Sequence, residues 1–130
     1  MVGNEERLIS EHDEQVALFH LLGLFGQKYP VLQWIFAVPN GGARHPAVAR
    51  KMSAEGVKAG VWDIFVPVPV DGKCGLWIEM KFGDGRLRAS QKQFREDVGE
   101  AFEWAVCYSS IEAAQVIGDY LGITELSKVQ

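Results

Sequence analysis

The sequence predicts a mixed α/β fold with the element order α-β-α-β-β-α-β-α. Three observations lead there. Residues 5–25 carry Leu8, Ile9, Val16, Phe19, Leu22 and Phe25 at spacings near three and four, the period of a helix packed on a core. Two apolar runs, 61–66 and 76–82, flank Asp71-Gly72, a dipeptide that turns one strand back on the next. Residues 102–108 then read as a further strand, and Ile111, Ala114, Val116, Ile117, Tyr120 and Leu121 as one face of a closing helix. A chain of 130 residues holds one such domain and is short for two.

Each element has its own punctuation. Gly23, Gly26 and Pro30 end the first helix, in which Glu11 and Gln15 stand four apart on the face of Leu18 and Leu22. Residues 34–38 read as the first strand, stopped by Pro39-Asn40-Gly41-Gly42, where glycine lets backbone approach a ligand closely. Pro46 suits a first helical turn, and 47–55 reads as a helix bearing Arg50 and Lys51 and ended by Gly56. Residues 83–88 form a flexible, basic loop with Arg86 and Arg88. Ser90 and Gln93 have capping-box spacing and open a helix to about Gly99, and Ser109 with Glu112 repeats that signal before the last helix, which Gly122 stops.

The two central runs contain residues that a core does not need. Asp63 sits between Trp62 and Ile64, and Glu79 between Ile78 and Met80. A carboxylate in such surroundings is costly unless it is paired or binds a cation. Side chains alternate along a strand, so Glu79 and Lys81 emerge on one face, and the simplest hairpin register sets Asp63 beside them. Hard oxygen donors of this kind suit Mg²⁺ or Mn²⁺, and no Cys/His cluster argues for zinc. His12, His20 and His45 read as structural or surface residues. Cys74 and Cys107 read as reduced packing residues of a cytoplasmic protein, since no apolar run reaches membrane length and Asn4-Glu5-Glu6-Arg7 gives no expectation of a secretory leader.

The net charge of −4 hides a polarised distribution. Residues 31–95 hold ten bases against five acids, whereas 1–30 and 96–130 hold twelve acids and three bases. A basic middle between acidic ends suits a surface that tracks phosphates.

Asp63, a gap of fifteen residues and then Glu79-Met80-Lys81 resembles the D…(D/E)-x-K signature of the PD-(D/E)XK nuclease superfamily. With Pro39-Asn40-Gly41-Gly42, Gly56-Val57, Gly60-Val61-Trp62-Asp63 and Gln91 on the following helix, the chain is similar to the VRR-NUC (virus-type replication and repair nuclease) domain over about residues 11–121. Trp62 departs from that pattern, standing where proline is frequent. The likeness is to a stand-alone domain of phage or bacterial type, filling 1–130 with its core at about 8–122. It implies a restriction-endonuclease-like core, a four-stranded mixed sheet flanked by helices.

The implied activity is Mg²⁺- or Mn²⁺-dependent endonucleolytic hydrolysis of DNA. Structure-selective cutting of branched or four-way junction DNA (Holliday junctions) in replication, repair and recombination is the expected form. Asp63, Glu79 and the Met80 carbonyl would hold the metal. Glu11 would supply a third carboxylate from an E-x-x-x-Q pair with Gln15, with Glu14 as its rival. Lys81 would deprotonate the attacking water or stabilise developing charge, and both roles stay open. Gln91 would orient water or phosphate. Asn40, Gly41 and Gly42 would meet the DNA backbone, with Arg44, Arg50, Lys51, Lys58, Arg86 and Arg88 as phosphate contacts. Two cuts in one junction imply a homodimer. An exonuclease or nickase of the same chemistry, and a non-catalytic nucleic-acid-binding module, are the alternatives.

Overall fold

The computed structural model describes residues 10–39 and 45–130. Helix α1 (Glu11–Phe25) starts at Ser10, whose hydroxyl accepts from the Asp13 amide. A 3₁₀ turn (Pro30–Trp34) leads to β1 (Phe36–Ala37), followed by α2 (Pro46–Ala54), β2 (Ile64–Val66) and β3 (Leu76–Met80). Helix α3 (Ala89–Val98) runs through a second 3₁₀ turn (Gly99–Ala101) into β4 (Glu103–Cys107), and α4 (Ser110–Leu121) and α5 (Thr124–Ser127) close the chain. The strands lie in the order β1-β2-β3-β4. The first three are antiparallel and β4 runs parallel to β3, which is the expected four-stranded mixed sheet. Among the described residues no helix is long and apolar enough to cross a membrane.

The central hairpin forms as its turn chemistry dictates. Asp71 and Gly72 both take positive φ, 49° and 84°, as a two-residue primed turn requires. Val70 and Lys73 exchange both backbone hydrogen bonds around it, at 3.0 and 2.9 Å. Ile64 pairs with Ile78 and Val66 with Leu76.

The two faces of the sheet differ. Ile64, Val66, Leu76, Ile78, Met80 and Cys107 form one face and pack on Leu18 and Leu22 of α1 and on Ala113, Ala114 and Ile117 of α4. The alternate residues carry aromatic rings. Phe36 pairs with Phe65, Phe65 with Trp77, and Trp77 with Trp104, a row that crosses all four strands. Phe94 of α3 meets Trp77 and Trp104 nearly edge-on, at 5.1 and 5.7 Å. Trp77 Nε1 lies buried in this layer and is the single such side-chain nitrogen or oxygen among the described residues without a hydrogen bond.

Four expectations need correction. The strand expected over 34–38 is only two residues long, because the chain from Pro30 to Trp34 takes a 3₁₀ turn that Pro30 opens and that leaves Trp34 exposed. The capping residue of α3 is Arg88 rather than Ser90, and Gln91 rather than Gln93 reaches back to it. Gln93 instead bonds Asp97 one turn on, at 2.9 Å. The loop 83–88 is fastened rather than loose, through Gly85 to Phe82 and to Tyr108. The four-residue α5 has no sequence expectation behind it; Leu126 anchors it in the core. The predicted helix start at residues 5–9 lies outside the described residues.

Candidate active site

The hairpin register brings Asp63 opposite Glu79 at the end of the β2–β3 pair, and the two acids interlock. The Asp63 amide donates to Glu79 Oε1 at 3.1 Å, and the Met80 amide donates to Asp63 Oδ2 at 2.9 Å. Two residues after Glu79 and just past the end of β3, Lys81 Nζ lies 3.3 Å from Glu79 Oε2. Gln91 reaches in from the first turn of α3. Its Nε2 donates to Glu79 Oε2 at 2.8 Å, while its Oε1 accepts from Lys81 Nζ at 3.0 Å and from the Arg88 amide at 2.8 Å. Glu79, Lys81 and Gln91 are all buried, and Asp63 is half-buried.

Gly60 explains how the segment before β2 comes so close to α3. It takes φ 91°, and a Cβ there would stand 2.6 Å from the Ser90 carbonyl oxygen, so a side chain would push the two apart. Trp62 completes the contact by donating from Nε1 to the Gln91 carbonyl at 3.0 Å. The indole that departs from the frequent proline therefore helps hold the helix turn that carries Gln91.

Burial sets the electrostatics. It pushes the Glu79 carboxyl up to about 7, with the neighbouring Asp63 charge adding to the push and Lys81 opposing it. Asp63 is raised as well, mainly by burial, against the hydrogen bond from Met80. One ammonium does not compensate two carboxylates in this setting, so the cluster favours an added positive charge.

The expected site residues do not all come together. Asp63, Glu79, Lys81 and Gln91 come together. Gln91, expected to orient water or phosphate, spends both acceptor positions of its oxygen on Lys81 and Arg88 and one amide hydrogen on Glu79. These bonds orient the acid and the amine. Glu11 is not brought into this network; it stands exposed in the first turn of α1. Its rival Glu14 accepts from the Ser110 amide at 2.8 Å, where a carboxylate suits the start of α4. Among the described residues no three Asp, Glu, His or Cys side chains converge to hold a metal ion, so two acids rather than three meet here.

The Met80 carbonyl faces the same edge as Asp63. The N–H and C=O of one strand residue project to the same edge, and the Met80 N–H already points at Asp63. Arg50, Lys51, Lys58, Arg86 and Arg88 are exposed and form no ion pair with another described residue. Asn40, Gly41, Gly42 and Arg44 lie outside the described residues. His45 caps α2 by accepting from the Ala47 amide at 3.1 Å.

The sequence reading missed that Trp62 and the Arg88 amide hold Gln91 in place, and it missed the aromatic row. The row had a signal, because Phe65, and likewise Trp77, Glu79 and Lys81, alternate with Ile64, Val66, Leu76, Ile78 and Met80, none of which is aromatic.

No family model and no curated protein matches the chain. A solved structure described as a VRR_NUC domain protein does, with a TM-score of 0.69 at 22% identity, over 88% of this chain and 89% of that one. The fold is that of a VRR-NUC domain. The likeness, which the motifs around Asp63 and Glu79 had implied, covers nearly all of both chains. Within the VRR-NUC fold the arrangement of Asp63, Glu79, Lys81 and Gln91 stands on its own distances.

Proposed function

We propose that this protein is a Mg²⁺- or Mn²⁺-dependent DNA endonuclease that acts on branched or junction DNA. The observation that supports it most is the interlocked pair Asp63–Glu79 with Lys81 beside it, buried in a cluster short of positive charge. A fold gains nothing in stability from burying two acids against one amine. A site for a divalent cation and a phosphodiester does need them.

Asp63, Glu79 and the Met80 carbonyl fit a small hard cation, which commonly binds through one or two carboxylates and keeps several waters. Such an ion, when bound, polarises the scissile phosphate and lowers the pKa of a water beside it. The chain's own residues do the remaining work. Lys81 gives two of its three N–H bonds to Glu79 and Gln91. The third is left for the attacking water or a phosphate oxygen, where the ammonium offsets developing negative charge. Gln91 holds Lys81 and Glu79 at fixed separation, which is the positioning that in-line attack requires. Arg50, Lys51, Lys58, Arg86 and Arg88 supply charge for the DNA backbone.

A junction needs two cuts, and a C2 homodimer supplies two sites. Light scattering that finds a monomer at working concentration would remove this part of the proposal. The activity itself is tested by incubating the protein with duplex, flap and four-way junction DNA in Mg²⁺, Mn²⁺ or EDTA. Cleavage is expected with either metal and none with EDTA, and Lys81→Ala should bind DNA without cutting it. Cleavage in EDTA would refute the mechanism, and binding without cleavage by the unaltered protein would mark a non-catalytic module.

A further inference from the structure

We propose that the pocket of about 410 Å³ lined by Gly83, Asp84, Gly85, Arg86 and Tyr108 is a subsite for the phosphodiester next to the one cleaved, and that Tyr108 positions it. The inference rests on the nuclease reading above and adds to it a second point of contact with the same DNA strand.

The sheet puts this pocket on the reacting side. Met80 pairs with Cys107, and the Lys81 amide donates to the Cys107 carbonyl at 2.9 Å, so Lys81 and Tyr108 follow side by side. Alternation then sends both side chains to the face that carries Glu79 and Val106. Two strand residues span about 7 Å, which is on the order of the separation of successive phosphates in one strand. The pocket lining begins two residues after Lys81, at Gly83.

Its wall is fixed. The Gly85 amide donates to the Phe82 carbonyl at 3.0 Å and closes a tight turn, in which Gly83 takes φ 56°. Tyr108 Oη donates to the Gly85 carbonyl at 2.9 Å. At the other end of the segment the Arg88 amide donates to Gln91 Oε1, the same oxygen that accepts from Lys81. The stretch that carries Arg86 is thus fastened at one end to β4 and at the other to the catalytic cluster. Arg86 is exposed and has no carboxylate partner among the described residues. Asp84 lines the same pocket, and its charge opposes a doubly charged free phosphate more than the singly charged diester of a DNA strand.

The test is equilibrium binding of a labelled four-way junction by the full chain in EDTA across a range of salt concentrations. It compares the unaltered protein with Arg86→Ala, Tyr108→Phe and the double variant. Arg86→Ala should weaken binding about tenfold, as loss of a charge-assisted contact does, and lower the salt slope by about one phosphate contact. Tyr108→Phe keeps every charge, should weaken binding a few-fold, and should add little in the double variant, because it acts through the turn that carries Arg86. Arg86 is exposed, so its replacement does not threaten the fold. Unchanged affinity and salt slope in Arg86→Ala, in a protein that still cuts junctions, would overturn the subsite alone. Fully additive losses would overturn the positioning role of Tyr108. Failure of the unaltered protein to cut with either metal would overturn the nuclease reading and the subsite with it.

Discussion

The two faces of one sheet solve different problems. On the first, Ile64, Val66, Leu76, Ile78, Met80 and Cys107 are buried against two helices, each side chain with aliphatic neighbours. On the second, Phe65 of β2 and Trp77 of β3 lie at one level, and Asp63, just before β2, and Glu79 lie two residues along. The first face is built from transfer free energy and close packing. The second places two acids where burial opposes their charges, with an amine beside them and the aromatic row adjoining. The difference teaches that stability and chemistry are separated here by the alternation of a strand, across the thickness of one backbone.

Substitutions should respect that division. The largest effect is expected from Glu79→Gln, which should lower the cleavage rate by roughly a thousandfold, the scale of losing one electrostatic contact to a transition state. Thermal unfolding should move little, since a poorly compensated buried charge is removed with it. A large fall in melting temperature would show that the charged row supports the fold after all. Ile78→Ala, one residue away on the other face, should cost about 3 kcal/mol of stability and leave the cleavage rate at low temperature near that of the unaltered protein. Chemical denaturation and a single-turnover assay measure the two together.

A pH series on metal-free protein probes the same contrast. Glu79 is raised from 4.5 to about 7 in the folded state, so the native protein binds that proton more tightly than the unfolded chain does. Its contribution is therefore fully present below about pH 4.5 and is lost as pH rises through about 7. The expected loss is about 2 kcal/mol, given 1.36 kcal/mol per pKa unit and partial relaxation. Asp63→Asn removes the like charge and should flatten the curve. Stability that rises over this range in both proteins would contradict the account.

The smallest effect belongs to the aromatic layer. Phe94→Leu keeps most of the volume but loses the edge-on contacts to Trp77 and Trp104, at about 1 kcal/mol. Because α3 also carries Gln91, cleavage should fall several-fold with it. Unchanged cleavage would mean that Trp62 alone holds the helix turn in place.

Much of this was legible before any coordinates. Asp71-Gly72 fixed the hairpin, Ser109 and Glu112 the start of α4, and the spacing of Asp63, Glu79 and Lys81 the candidate site. Ser109 does cap α4, and Glu112 reaches the Tyr108 amide at 2.9 Å. These signals act between residues a few positions apart or across one tight turn, so local chemistry decides them.

What tertiary structure alone decided are the choices between near neighbours: Gln91 over Gln93 as the reaching residue, Glu14 as a helix cap, Glu11 outside the cluster, and Tyr108 over the turn at Gly85. Each depends on where one element meets another distant in sequence. Ser110 lies ninety-six residues from Glu14, and no pattern within α1 records that it will stand there. The sequence by itself determined which acids and which amine the hairpin carries. The packing of α1, α3 and β4 around the hairpin decided which side chains reach it, because a hydrogen bond forms or fails within a few tenths of an ångström, a distance that residue spacing does not specify.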